Sequence, residues 1–179
     1  KENEVKTQNI FHTCVAFKNL DLSKLKIVGN LFKKTFESGV NTTLENETLF
    51  NKSSINYLNI EITSILAGLL KPFCKTFVFN VSSIWINRYD DKDYQGSHVH
   101  PSDFSFIIYY KTNKSYTVFN SPFKKLLEIS NSKIHQREYE PKLNNGDMII
   151  FPSYLEHWVR PNSENTTVSG NIKIVDIKK

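Results

Sequence analysis

The sequence predicts a mainly β protein, an antiparallel barrel or two-sheet jelly roll preceded by a helical part. Short β-branched and aromatic runs recur at regular intervals after Pro72, and no helical pattern separates them. Two amphipathic stretches come before these runs. Parallel strands need crossover helices between them, so strands that follow one another without helices are expected to pair antiparallel.

The first part of the chain predicts one weak strand and two helices. The strand is expected around Phe11 to Phe17. Apolar residues at three- and four-residue spacing predict one helix over Ser23 to Phe36 and another over Ile55 to Leu70, which ends before Pro72. The polar stretch from Asn41 to Ser53 predicts a surface loop. Both helices are expected to pack on the outer face of the larger sheet.

The second part predicts seven or more short strands in a jelly roll. The predicted strands are Ser82–Tyr89, Phe104–Tyr110, Tyr116–Asn120, Gln136–Glu140, Asp147–Phe151, His157–Arg160 and Val168–Ile177. A chain of 179 residues is expected to form a single domain. Residues 1–80 would be its helical support region, and residues 81–179 its jelly-roll core with any metal site.

Composition excludes several protein classes. With 39% hydrophobic, 13% aromatic and 23% charged residues, the chain does not resemble disordered or coiled-coil sequences. No apolar run approaches the ~20 residues that span a bilayer. The two cysteines have no paired spacing, which favours a reducing, cytoplasmic setting. The net charge of +5 is scattered along the chain, so a nucleic-acid partner is not expected. The oligomeric state stays open.

The histidines suggest a metal site. His98 and His100 stand two apart, and alternate residues of an extended segment point to the same side. His157 follows a predicted strand and a turn, so a third imidazole could complete one face of an iron site that keeps open positions. The competing interpretation is that such histidines bind no metal, because a lone histidine is often only hydrogen-bonded. His12 and His135 are expected to be structural or exposed.

Three stretches carry a resemblance to a known family. They are Trp85 to Tyr110, which contains Gly-Ser-His-Val-His-Pro; Asn145 to His157, with Gly-Asp, an apolar run, Phe-Pro-Ser and His; and Val168 to Ile172. Together these stretches resemble the 2-oxoglutarate and Fe(II)-dependent oxygenases of bacterial and phage genomes. The resemblance covers residues 82–177, about half of the chain.

This resemblance implies a double-stranded β-helix, a form of jelly roll, that holds one iron in its mouth. His98 and His157 match the two ligating histidines of the family. Most such oxygenases have Asp or Glu where this chain has His100, and Asp103 is a nearby carboxylate that could serve instead. We favour His100 as the third ligand, because a residue two along a strand shares the face of His98.

The resemblance also implies a binding site for 2-oxoglutarate. Tyr110 matches the tyrosine that holds the far carboxylate, and Asn87 is a second expected contact. The family places an Arg for that carboxylate where this chain has Asn165, and an amide does not replace a bidentate guanidinium. A cation from another strand could substitute, and the candidates are Arg88, Arg160 and Lys173. Otherwise the chain would use a different co-substrate, bind 2-oxoglutarate weakly or have lost the activity.

The function predicted first is therefore an Fe(II) and 2-oxoglutarate-dependent oxygenase that hydroxylates an unidentified small molecule or protein side chain. One alternative is a jelly-roll binding or scaffold protein with a vestigial metal site, which Asn165 favours. Another is a cupin-like metalloenzyme that does not use 2-oxoglutarate, which the His-x-His pair fits equally well. Specificity is expected to come from loops around the mouth, namely Asp90 to Ser97 and Ser121 to His135.

Overall fold

The computed structural model describes residues 13–28, 33–34, 38–43 and 49–179. These parts contain helices α1 (Lys52–Leu70) and α2 (Lys124–Ile129) and a 3-10 helix at Leu22–Lys24. None of the helices in these ranges has the length and apolarity needed to cross a membrane. The strands are β1 (Ala16–Asn19), β2 (Lys33–Lys34), β3 (Asn41–Thr42), β4 (Thr76–Tyr89), β5 (Asp93–His98), β6 (Phe104–Lys111), β7 (Thr117–Asn120), β8 (Glu138–Tyr139), β9 (Asp147–Pro152), β10 (His157–Asn162) and β11 (Asn165–Lys178).

These strands form two sheets. The larger sheet has the order β1-β9-β6-β11-β4-β3-β2, and the smaller one has the order β5-β10-β7-β8. The pairings within both sheets are antiparallel. The predicted mainly β, two-sheet fold is confirmed, and every strand predicted after Pro72 is present. The expected loop at Asp90 to Ser97 is instead largely strand β5.

Alternation along the central strands gives the larger sheet two buried faces. On β6, Phe106 and Ile108 pack with α1, whereas Ile107 and Tyr109 pack towards the smaller sheet. Helix α1 covers the first face with four buried side chains, Leu58, Ile62, Ile65 and Leu66. The second face and the smaller sheet enclose a separate core that includes Phe119 and Phe151. The cavity described below opens within that second layer.

The predicted helix over Ile55 to Leu70 is confirmed and begins slightly earlier, at Lys52. The side chain of Asn51 caps it by accepting a hydrogen bond from the backbone N–H of Ser54 at 2.8 Å. As predicted, the helix packs on the outer face of the larger sheet.

The predicted helix over Ser23 to Phe36 is wrong wherever the structure describes it. Its described parts are a 3-10 turn, an irregular stretch and the short strand β2. The apolar spacing has a different cause: Leu25 is buried in the core, and Ile27 forms an isolated bridge with Phe50. The backbone N–H of Lys26 donates to the Ser54 hydroxyl at 2.9 Å, which binds this stretch to α1 without helical bonds. Of the predicted strand at Phe11 to Phe17, residues 11–12 lie outside the described ranges.

Candidate metal centre and adjoining cavity

Strands β5 and β10 bring three histidines together. His98 ends β5, His157 begins β10, and the two are direct cross-strand partners. His100 follows β5, and its backbone N–H donates to the carbonyl of Ser153 at 3.0 Å, which holds it beside the turn before β10. The smaller sheet therefore places at one edge three side chains that are distant in sequence.

The three imidazoles surround a common point. Ring centroids are 4.3 Å apart for His98 and His157, 5.0 Å for His98 and His100, and 5.2 Å for His100 and His157. One ring nitrogen from each residue lies within 4.8 Å of the other two. This is a donor set of the size and chemistry that binds a first-row transition metal.

Hydrogen bonds orient two of the rings. Nδ1 of His98 lies 2.8 Å from the carbonyl oxygen of Gly96, and Nδ1 of His157 lies 3.0 Å from that of Leu155. A carbonyl can only accept, so each Nδ1 carries the proton in the neutral ring. Each Nε2 then keeps a lone pair, as metal-bound imidazoles require.

Burial keeps the three rings neutral. Burial lowers the pKa of His98. Burial and repulsion from His98 lower the pKa of His100 to about 4 and that of His157 to about 3. Because charging these rings is costly, they are unprotonated near neutral pH and their lone pairs are available to a cation.

A cavity leads from the histidines between the two sheets. Successive cross-strand pairs of β4 and β11 form one wall, and they are Trp85–Ser169, Asn87–Thr167 and Tyr89–Asn165. Gln95, Thr117 and Val159 contribute to the opposite wall. The cavity volume of about 20 Å³ accommodates one or two water molecules. A ligand the size of a 2-oxo acid therefore enters only when side chains move apart.

Tyr110 does not line this cavity, so its predicted inward orientation is wrong. Its hydroxyl donates to the carbonyl of Leu25 at 3.3 Å, on the side of the sheet that α1 covers. The neighbouring Tyr109 points inward and is buried, with its hydroxyl 2.9 Å from that of Thr117 and 3.0 Å from that of Ser115. Adjacent strand residues face opposite sides, so Tyr110 and Tyr109 lie on different faces of the larger sheet.

The three candidate cations also point away from the cavity. Arg88 pairs with Asp90 at 3.4 Å, Arg160 with Glu140 at 3.3 Å, and Lys173 with Asp103 at 3.1 Å. The described cavity lining contains no Lys or Arg. The expectation that one of these residues compensates for Asn165 therefore has no support in the geometry.

Asp103 is engaged elsewhere and lies outside the histidine group. Its carboxylate accepts from the backbone N–H of Ile174 at 2.8 Å and pairs with Lys173. Both interactions tie it to β11. His100, by contrast, lies within the group, and its role as third ligand stays a prediction.

A supporting network joins the segments that carry two of the histidines. The side-chain amide of Asn120 donates to Glu156 at 2.7 Å and to the hydroxyl of Ser97 at 3.4 Å. Ser97 and Glu156 immediately precede His98 and His157. No sequence pattern indicates this network, because it depends on the pairing of three separate strands. Tyr89 was also missed, although strand alternation from Trp85 and Asn87 could have found it.

The two-sheet fold thus carries three converging histidines at one edge of its smaller sheet, and comparison with known proteins shows which proteins the chain is similar to. Residues 83–169 match the model of the family described as Putative 2OG-Fe(II) oxygenase. The matched part of the chain includes all three histidines and is similar to the 2OG-Fe(II) oxygenases that this model describes. Fe(II) and 2-oxoglutarate are the cofactors that define that family. No curated protein matches the chain significantly in sequence.

Solved structures share the fold. A Pseudomonas putida prolyl-4-hydroxylase has a TM-score of 0.53 at 10% identity, covering 87% of this chain and 90% of that chain. HygX from Streptomyces hygroscopicus, with nickel and 2-oxoglutarate bound, has a TM-score of 0.52 at 10% identity and covers 88% and 76%. The viral collagen prolyl hydroxylase of Paramecium Bursaria Chlorella virus-1, as a 2OG complex, has 0.51 at 14% identity and covers 76% and 80%.

Proposed function

We propose that His98, His100 and His157 hold the Fe(II) of a 2-oxoglutarate-dependent hydroxylase. The observation that carries this proposal is the convergence of three neutral imidazoles in the lining of the cavity, with nitrogens within 4.8 Å of one another. When bound, Fe(II) and 2-oxoglutarate supply the oxidising power, since dioxygen converts a C–H bond to C–OH while the 2-oxo acid becomes succinate and carbon dioxide.

The surrounding residues orient the ligands and exclude water. The ring of Phe151 lies 4.9 Å from that of His157, and the ring of Phe119 lies 5.7 Å away. Trp85 lies 5.5 Å from His100 on the other side. These aromatic rings limit the access of solvent to the centre.

A third neutral ligand changes the charge of the centre. Three imidazoles leave the full double charge of the metal, whereas a carboxylate ligand would cancel part of it. The more positive centre favours an anionic 2-oxo acid head group. This attraction stabilises the bound co-substrate and partly compensates for the absence of Lys and Arg from the described cavity lining.

We infer that the substrate is a small molecule or a protein side chain. Both classes occur among proteins of this fold, because one structural neighbour is named a prolyl-4-hydroxylase and HygX has been solved with hygromycin B bound. The residues that would discriminate between substrates lie on β5 and on the segment from Ser121 to His135, which contains α2. The free thiols of Cys14 and Cys74 support the proposed cytoplasmic location.

Turnover of the co-substrate tests this proposal. The chain loaded with Fe(II) under air should convert 2-oxoglutarate to succinate slowly without substrate, and the variant His98→Ala/His157→Ala should not. His135→Ala is the matched control, because His135 is exposed and bonds only Ser132 among the contacts described. A chain that binds metal but neither binds nor consumes 2-oxoglutarate would contradict the proposal and favour the vestigial or cupin-like alternative.

A further inference from the structure

The end of the cavity remote from the histidines is uncharged. We define the neutral floor as the six polar residues Asn87, Tyr89, Gln95, Thr117, Asn165 and Thr167, all of which line the cavity. Tyr89 and Asn165 form a cross-strand pair, as do Trp85 and Ser169. The two pairs are four residues apart along each strand, a distance of ~13 Å. A ligand that reaches inward from the metal centre therefore meets the neutral floor with its tail.

One atom of the neutral floor lacks a partner. Asn165 is 2% exposed, and its buried Oδ1 accepts no hydrogen bond. A buried acceptor without a donor is costly and is normally satisfied by protein, water or ligand. A second carboxylate would bring only further acceptors to this atom, whereas a terminal amide or hydroxyl would bring a donor.

The electrostatics of the floor also disfavour a second negative charge. Burial raises the pKa of Tyr89, and the negative charge of Asp93 raises it further, so this phenol stays neutral. The same carboxylate would repel a second negative charge on a bound ligand. The hydroxyl of Tyr89 is already committed to Oε1 of Gln95 at 3.0 Å. Nothing in the described lining offers a cation to a desolvated carboxylate.

We propose that the neutral floor recognises the co-substrate tail through uncharged hydrogen bonds to Asn165. The chain therefore accepts 2-oxo acids with a neutral, donor-bearing tail at least as readily as 2-oxoglutarate. This inference rests on the proposed function, since the 2-oxo acid head must bind at the metal centre. It assigns Asn165 as the residue that determines co-substrate specificity.

Calorimetry on the full chain loaded with Mn(II) tests the inference without turnover. The probes are 2-oxoglutarate and 2-oxoglutaramate, the terminal amide of the same length. We expect the amide to bind within about threefold of 2-oxoglutarate or more tightly, since no ion pair distinguishes the two tails. A preference of about tenfold or more for 2-oxoglutarate would overturn the inference and leave the proposed function standing. Metal-dependent binding of neither probe would overturn both.

Substitutions at Asn165 sharpen the test. Asn165→Asp, which is nearly isosteric, should weaken the binding of 2-oxoglutarate by about tenfold relative to that of the amide. Asn165→Arg should shift the binding preference towards 2-oxoglutarate. Lys173→Gln is the matched control, because this outward cation should leave the ratio unchanged. Mn(II) stoichiometry and the unfolding temperature verify that each variant is folded. If the Asn165→Asp variant folds and the ratio of the two dissociation constants is unchanged, Asn165 does not contact the tail of the co-substrate and the inference fails.

Discussion

His98 and His157 are direct cross-strand partners, and their ring centroids lie 4.3 Å apart. The pairing of β5 with β10 sets this distance, so the centre depends on strand register. A shift of one residue in either strand would turn its histidine to the opposite face of the sheet. Residues that hold the two strands in register should therefore influence metal affinity without touching the metal.

Asn120 is the clearest of these residues. It bridges Ser97 and Glu156, the residues directly before the two paired histidines. Asn120→Ala should weaken Mn(II) binding by about 10- to 100-fold, the range for residues that orient ligands. Calorimetric titration with Mn(II) measures this affinity, and Glu140→Gln is the control, because Glu140 is exposed and pairs with Arg160. An unchanged dissociation constant in a folded Asn120→Ala variant would mean that the network has no positioning role.

Gly170 permits the close packing of β11 on β6. A Cβ atom at Gly170 would lie 2.4 Å from the Phe106 ring and 2.7 Å from the backbone oxygen of Ser83. Gly170→Ala should lower the free energy of unfolding by about 1–3 kcal/mol, because the buried ring and backbone must shift.

Gly68 is the matched control for this substitution. It lies on the exposed side of α1, where an added Cβ atom would have no neighbouring atom within 4 Å. Gly68→Ala should raise the free energy of unfolding by about 0.5–1 kcal/mol, because alanine favours the helix. Urea denaturation measures both variants, and equal effects of the same sign would contradict the packing argument.

The stability of the metal-free chain should fall as the pH falls below neutral. The folded-state pKa values of His100 and His157 are lowered to about 4 and about 3, so the unfolded chain takes up protons first. The stabilisation is complete above the ordinary histidine pKa of ~6.5 and is lost progressively towards the folded values. Urea denaturation in chelator at pH 7 and pH 5 measures the loss. His100→Ala/His157→Ala should reduce this pH dependence, and an unchanged dependence would contradict the assignment.

Metal removal should leave the fold intact. The two cores are built from apolar side chains of both sheets and α1, none of which needs the metal centre. Chelation should therefore lower the unfolding temperature only by the mass-action contribution of the bound ion. Circular dichroism with and without chelator measures this. Complete unfolding on chelation at room temperature would identify the centre as structural.

The sequence predicted most of the fold but less of the cavity. Period-two patterns predicted the strands after Pro72, because the positions that each strand buries carry apolar residues. The helix predicted from the apolar spacing of Ser23 to Phe36 was wrong, because tertiary packing rather than a helical face buries Leu25. β5 was missed because its sequence, Asp-Tyr-Gln-Gly-Ser-His, has no apolar alternation, and pairing with β10 determines its structure.

Among the candidate site residues, the structure brings together those that strand alternation placed on one side, and their roles stay predictions. His98 and His100 share a side as expected, and Asn87 lines the cavity. The predicted contacts with the co-substrate failed for three residues, Tyr110, Arg160 and Lys173. Tyr110 faces the other side of its sheet, and the two cations form ion pairs with residues distant in sequence. Arg160, for example, bonds Glu140 across 20 positions of sequence. Such contacts depend on the assembled fold and leave no local pattern in the chain.

Metal stoichiometry tests the central claim most directly. Fe(II) binding to the anaerobic native chain should give one equivalent per chain, and Asp103→Asn should give the same value, because that carboxylate is bonded to β11. His98→Ala/His157→Ala should bind no Fe(II) at concentrations that saturate the native protein. A full equivalent of Fe(II) retained by the folded histidine variant would contradict the account.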